Sequence, residues 1–145
     1  MRRFREDSAK PFFHNSDLSK LILRLTCGGL LFMHGSHSAI HGIQHVKDMV
    51  SAAGLPEFIA YGNLIGEGVA PIFLIAGFKT RIAALIIASN MLMSVLIAHR
   101  DIMFSRNDFG GWMIELNVFY FMIALAVFFT GAGRYSVSLG KGRWD

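Results

Sequence analysis

The sequence predicts an all-α fold: a bundle of four transmembrane helices with a short interfacial helix between the first and second spans. Three observations carry that prediction. Hydrophobic residues make up 53% of the 145 and charged residues only 17%, with a mean hydropathy of +0.46, whereas soluble domains carry about 25% charged residues. Four apolar stretches, Lys20 to His45, Phe58 to Phe78, Ile82 to Ala98 and Gly111 to Gly131, approach or reach the roughly 20 residues that cross a hydrocarbon core of about 30 Å. The basic residues also sort by side. Arg2, Arg3, Arg5, Lys10 and Lys20 precede or begin the first stretch, Lys79 and Arg81 lie in the second connection, and Arg134, Lys141 and Arg143 follow the fourth. Lys47, Arg100 and Arg106 are left for the other two connections. The positive-inside rule then puts both termini in the cytoplasm of a multi-pass membrane protein.

Taken in order, residues 1–17 read as a cytosolic tail, with Pro11, Phe12 and Phe13 near the headgroups and Ser16 or Asp17 capping the first helix. The membrane domain is placed at 18–136 and a second cytosolic tail at 137–145. The first apolar run is long enough to span and lacks a small-residue cleavage pattern, so it reads as a retained helix. On its wheel His34, His37, His41 and His45 fall within an arc of roughly 80°, and Lys20, Arg24, Cys27 and Leu31 continue nearly the same stripe. Such a stripe is costly in lipid unless it faces protein or water. Residues Ile43 to Ala53 alternate apolar and polar faces at helical spacing, as an interfacial helix does. Gly54 and Pro56 end it, and a bend at Gly42 takes His45 out of the stripe.

The second span holds Y-G-N-L-I-G-E-G-V-A-P from Tyr61 to Pro71. Gly62, Gly66 and Ala70 form a small-residue ridge suited to close helix approach, and Asn63, Glu67 and Pro71 share a face. Pro71 has no amide hydrogen, so the carbonyl of Glu67, four residues earlier, loses its helical partner. In the third span Asn90 and Ser94 share a face, and the wheel sets His99 on the opposite side, where it reads as a solvated helix end. The fourth span opens with Trp112 at the interface, followed by Glu115 on the face of Phe119 and Met122, while Asn117 points elsewhere and serves helix packing.

Counted inward from the outer boundary at about 1.5 Å per residue, Glu115 lies roughly 6 Å deep, His34 roughly 9 Å and Glu67 roughly 12 Å. An outer-leaflet pocket built from His34, His37, Glu67 and Glu115 with Asn63 is therefore expected, with Arg24 neutralising Glu67 or closing its inner end. Composition narrows the chemistry. Cys27 is the single cysteine, which excludes a disulfide framework or dithiol relay and leaves it an inert buried thiol. The basic residues form no aromatic-interleaved patch, so no nucleic-acid partner is expected. With neither a Rossmann fingerprint nor a P-loop, nucleotide chemistry would reside in a partner chain.

The motifs L-R-L-x-x-G-G-L-L-F-x-x-H-G from Leu23 to Gly35, G-L-P from Gly54 to Pro56, G-E-G-x-A-P from Gly66 to Pro71 and W-x-x-E-L-N from Trp112 to Asn117 together resemble the DoxX family of small bacterial membrane proteins. The likeness runs over about Leu18 to Ser136. It implies a four-helix bundle in a bacterial inner membrane, in a group that includes the small membrane subunits of thiosulfate:quinone oxidoreductase and actinobacterial proteins linked to oxidative-stress complexes. Three readings follow. In the first, the chain is a membrane subunit of an oxidoreductase system that binds a quinone through Arg24, His34, Asn63, Glu67, Trp112 and Glu115. His34 then donates to a quinone carbonyl and Glu67 or Glu115 accepts protons, so His34, Glu67 and Glu115 carry the chemistry. In the second, His34, His37 and His41 with Glu67 or Glu115 hold zinc, iron or copper, donor types that suit those metals. In the third, the chain is a structural or assembly subunit whose polar groups fix helix register. All three place it in the lipid bilayer with partner subunits or further copies of itself.

Overall fold

The computed structural model describes residues 15–145. The N-terminal tail expected for residues 1–17 lies outside the described residues, except for Asn15–Asp17. Among those described there are five helices and no named strand: α1 (Ser16–His41), α2 (Gln44–Ala52), α3 (Glu57–Ala76), α4 (Thr80–Ala98) and α5 (Glu115–Thr130). Helices α3, 20 residues, and α4, 19 residues, are long and apolar enough to cross a membrane. The fourth apolar stretch is shorter than expected. Its helix begins at Glu115 and not near Gly111, because Asn107 and Gly111 form a turn, Arg106 pairs with Trp112 in an isolated antiparallel bridge, and the indole of Trp112 donates to the carbonyl of Met103.

The N-cap of α1 falls one residue earlier than the expected Ser16 or Asp17. Asn15 Oδ1 accepts from the Leu18 amide at 3.1 Å, which leaves Asp17 in the first turn, where a carboxylate favours the helix dipole. At the far end Gly42 adopts φ +86° and turns the chain into α2, so His45 leaves the α1 stripe as expected.

Helices α1, α3, α4 and α5 form a ring, in which α1 and α4 each contact both α3 and α5. Its core consists of Cys27 and Leu31 of α1, Ala70 and Leu74 of α3, Ala83, Ala84, Ile87, Ala88 and Met91 of α4, and Tyr120, Ala124 and Val127 of α5. The preponderance of alanine on α4 lets its neighbours pack close. A smaller cluster of Ile43, Val50 and Ala60, with Val46, Leu55, Ile59, Leu64 and Ile97 around it, seats α2 over the start of α3 and the end of α4. Lys47 Nζ stands 4.9 Å from the centre of the Tyr61 ring and ties the same two elements.

The opposite end is closed by hydrogen bonds. Arg24 is buried and donates through Nε to Leu74 O at 2.9 Å, through Nη2 to Ile75 O at 2.8 Å and through Nη1 to the carbonyls of Ala132 and Tyr135. Two of these carbonyls end α3, where helical partners run out and the dipole is negative. Gly77 follows with φ +70°. A side chain there would be strained, and its Cβ would stand 2.6 Å from the Arg24 guanidinium. The C-terminal segment folds back on the same connection, with Val137 N bonded to Ala76 O at 3.0 Å and Arg81 N to Trp144 O at 2.9 Å.

Candidate binding cavity

One residue of α3 breaks its own helix and so creates the site. Pro71 cannot donate, and the chain accommodates it by widening: Ile65–Val69 is a π-turn in which the Ala70 amide reaches Ile65 O. Such turns recur at functional positions. Glu67 lies within this turn, and Gly35 of α1 packs against the backbone of Glu67 and Gly68 so closely that a Cβ at position 35 would overlap it. The ridge read from the sequence is put to two uses. Gly66 makes room for the Asn90 side chain, while Gly62 faces open space.

That open space is part of a cavity of about 590 Å³ between α3 and α4, roofed by Val46, Met49 and Val50 of α2. Its walls are mostly apolar. Its polar groups are Asn63 and Glu67 from α3, Ser89, Asn90, Ser94 and His99 from α4, and Ser38 from α1. They are linked in a directed chain. Asn90 Nδ2 donates to Asn63 Oδ1 at 3.3 Å, and Asn63 Nδ2 donates to Glu67 Oε2 at 3.2 Å. Ser94 Oγ accepts from Asn117 Nδ2 of α5 at 3.1 Å, the packing role expected of Asn117. His99 Nδ1 meets Ser94 O at 3.2 Å, which leaves Nε2 for a ligand.

Of the residues expected in the pocket, Asn63 and Glu67 line it. His34 does not. Its ring is exposed and its Nδ1 lies 3.3 Å from Leu30 O of its own helix. His37 and His41 are also exposed and stack on each other at 4.1 Å between ring centres. The buried stripe of α1, Arg24, Cys27, Gly28, Leu31 and Gly35, continues past Leu31 through Gly35 and Ser38, and the histidines diverge from it. Among the described residues no three His, Cys, Asp or Glu side chains come together as a metal set, so His34, His37, His41 and Glu67 do not converge. Glu115 and Trp112 are exposed and outside the cavity. Arg24 bonds the Leu74 carbonyl, seven residues and about 10 Å along α3 from Glu67, and Glu67 has an amide as its partner instead.

The sequence reading missed His99, Ser89 and Asn90 as site residues. For Asn90 and Ser94 the signal was their i, i+4 spacing on an otherwise apolar helix. For His99 the wheel misled, because His99 is the C-cap with φ −122° and no longer follows the helical phase.

The ring of apolar helices, with a carboxyl and paired amides held between two of them, defines a helical membrane protein with a mostly apolar cavity between α3 and α4. A family model described as DoxX matches residues 19–100, more than half of the chain, and the chain belongs to that family. The match takes in α1 to α4 and the cavity, whereas α5 with its W-x-x-E-L-N motif lies beyond it. No curated protein and no solved structure matches the chain.

Proposed function

We propose that the protein is a four-span subunit of an oxidoreductase system in a bacterial inner membrane, and that it binds a quinone headgroup in the cavity between α2, α3 and α4. One observation carries the reading. A carboxyl, Glu67, is hydrogen-bonded to Asn63 and through it to Asn90 inside an otherwise apolar chamber of ligand size. Ligand pockets are commonly 300–1,000 Å³, apolar, with a few placed polar groups, and an ionisable residue at membrane depth is a functional candidate by default. The DoxX membership adds the link to oxidoreductase systems.

A bound quinone would supply two-electron, two-proton chemistry. The side chains of Asn63 and Asn90 and the free nitrogen of His99 offer hydrogen bonds to ring oxygens. Glu67 holds or releases a proton beside them, with His34 between it and the exposed end of α1. Arg24, Trp112 and Glu115 take no part at the ring.

Quinone titration of the purified protein in lipid nanodiscs tests this. Saturable binding is expected, and Glu67→Gln should weaken it about tenfold, a change of about 1.4 kcal/mol. A folded, reconstituted protein that binds no quinone would favour the structural-subunit reading.

A further inference from the structure

A second space of about 210 Å³ lies further along the same α3–α4 crevice, lined by Ile65, Val69, Phe73, Lys79, Ile82 and Ile86 among others, and Ile65 and Ile86 belong to both walls. The two volumes together follow α4 from Ile82 to His99, about 25 Å at 1.5 Å per residue, close to the thickness of a hydrocarbon core of about 30 Å. Their chemistry is graded. Among the described residues, every hydrogen-bonding side chain of the crevice except Lys79 stands at or above the level of Glu67, and below it the wall is aliphatic and aromatic until Lys79 at the connection. Ile65, Val69, Phe73, Leu85 and Met93 are exposed along the rim, so the crevice opens sideways between the two helices most suited to lie in lipid.

We propose that this lower crevice is the tail subsite of the ligand, which accepts a single isoprenoid chain, and that the ligand arrives laterally from the bilayer. The inference rests on the quinone reading and sharpens it: the ligand class is a long-tailed, lipid-borne quinone and not a small ring compound from the aqueous phase. The two spaces adjoin at Ile65 and Ile86, which line both, and that adjacency is the reason to choose a tail joined to a headgroup over an independent molecule. A headgroup held by Asn63, Glu67 and Asn90 directs its substituent either out through the rim or down this channel, and the channel shields apolar surface on two sides. A diacyl phospholipid would instead need an anchor for its phosphate, for which Lys79 is the one cation lining the crevice.

The test uses the full-length protein in nanodiscs with two probes that share one benzoquinone ring, one without a tail and one with a long polyisoprenoid tail. Binding is read as ligand retained per protein and referred to its mole fraction in the lipid. Wild type should hold the long-tailed probe at least tenfold more tightly. Val69→Phe and Ile82→Phe, which narrow the channel from opposite helices, should each bring the long-tailed probe down to the tailless level and leave the tailless probe unchanged. Lys79→Gln should alter neither. Equal affinity of wild type for the two probes, or unimpaired long-tail binding in both folded phenylalanine variants, overturns the tail subsite. So does loss of the long-tailed probe in Lys79→Gln together with release of co-purified phospholipid, which would assign the channel to an anionic lipid. Failure of wild type to bind either probe overturns the headgroup reading itself, an outcome separable from the others.

Discussion

Arg24 shows how one side chain can join three segments of chain, with no ion pair to it among the described residues. Its guanidinium donates to carbonyls from the end of α3 and from the segment after α5; the Leu74 oxygen also accepts from the Gly77 amide, whereas those of Ile75, Ala132 and Tyr135 have no other described partner. A charge removed from water is tolerated only with such full hydrogen bonding. Arg24→Met should therefore cost about 3 kcal/mol or more, since buried acceptors are left unpaired, and Arg24→Lys should recover little, because an ammonium cannot reproduce the planar fork. Thermal unfolding in detergent measures both; a lysine variant as stable as wild type would refute the assignment. Glu67, in contrast, is bonded to an amide alone, so its replacement by Gln should leave stability near the wild-type value while binding falls. At this scale the sequence was legible in identity and incomplete in partnership. Arg24 and Glu67 stood out as polar groups in apolar runs, but which of them would meet which could not be read from wheels, because burial of the Gly28–Leu31–Gly35 face of α1 turns the histidines outward.

At the scale of the elements, the contact between α1 and α3 depends on backbone meeting backbone. Gly35 abuts the carbonyl of Glu67, and a Cβ at Gly28 would stand 2.7 Å from the Ile75 side chain and 3.0 Å from Pro71 O. Gly29, one residue along, meets nothing within 4 Å. The two positions separate packing from propensity. Gly29→Ala should stabilise the protein by about 0.5–1 kcal/mol, the intrinsic gain of alanine over glycine inside a helix. Gly35→Ala should destabilise it by about 1–3 kcal/mol, the usual cost of overpacking, and should also lower ligand affinity, because the π-turn carrying Glu67 must move. Paired melting curves check this, and a neutral Gly35→Ala would mean that α1 and α3 lie further apart. Element types and most ends followed from apolar runs and punctuation by Gly42, Gly54 and Pro56. The start of α5 did not, since it depends on the Arg106–Trp112 pairing, a tertiary contact that local pattern does not encode.

For the whole molecule, the helices set two ends apart. The start of α1, the Gly77–Lys79 connection and the C-terminal segment meet at one end, bonded through Arg24, Arg81 and Arg134. The α2 helix and the loop of residues 99–114 belong to the other. The charges follow the same division: Lys20, Lys79, Arg81, Arg134, Lys141 and Arg143 lie at the first end, while Lys47, Arg100 and Arg106 at the second are accompanied by Asp48, Glu57, Asp101 and Asp108. This division is what the proposed four crossings, with the first end in the cytoplasm, require. At 16 residues α5 is short for a core of about 30 Å, and the proposed fourth crossing would need local thinning and flanking aromatic anchors, for which Trp112 and Tyr135 stand at its ends. The sole cysteine, Cys27, is buried, so single cysteines can be introduced without background labelling. A membrane-impermeant maleimide applied to intact spheroplasts should modify Ser51→Cys and Asp108→Cys and spare Lys141→Cys until the membrane is permeabilised. Labelling of position 141 before permeabilisation would invert the topology and put the mouth of the cavity under α2 on the cytoplasmic side, and protection of position 108 throughout would mean that α4 and α5 do not cross as a pair.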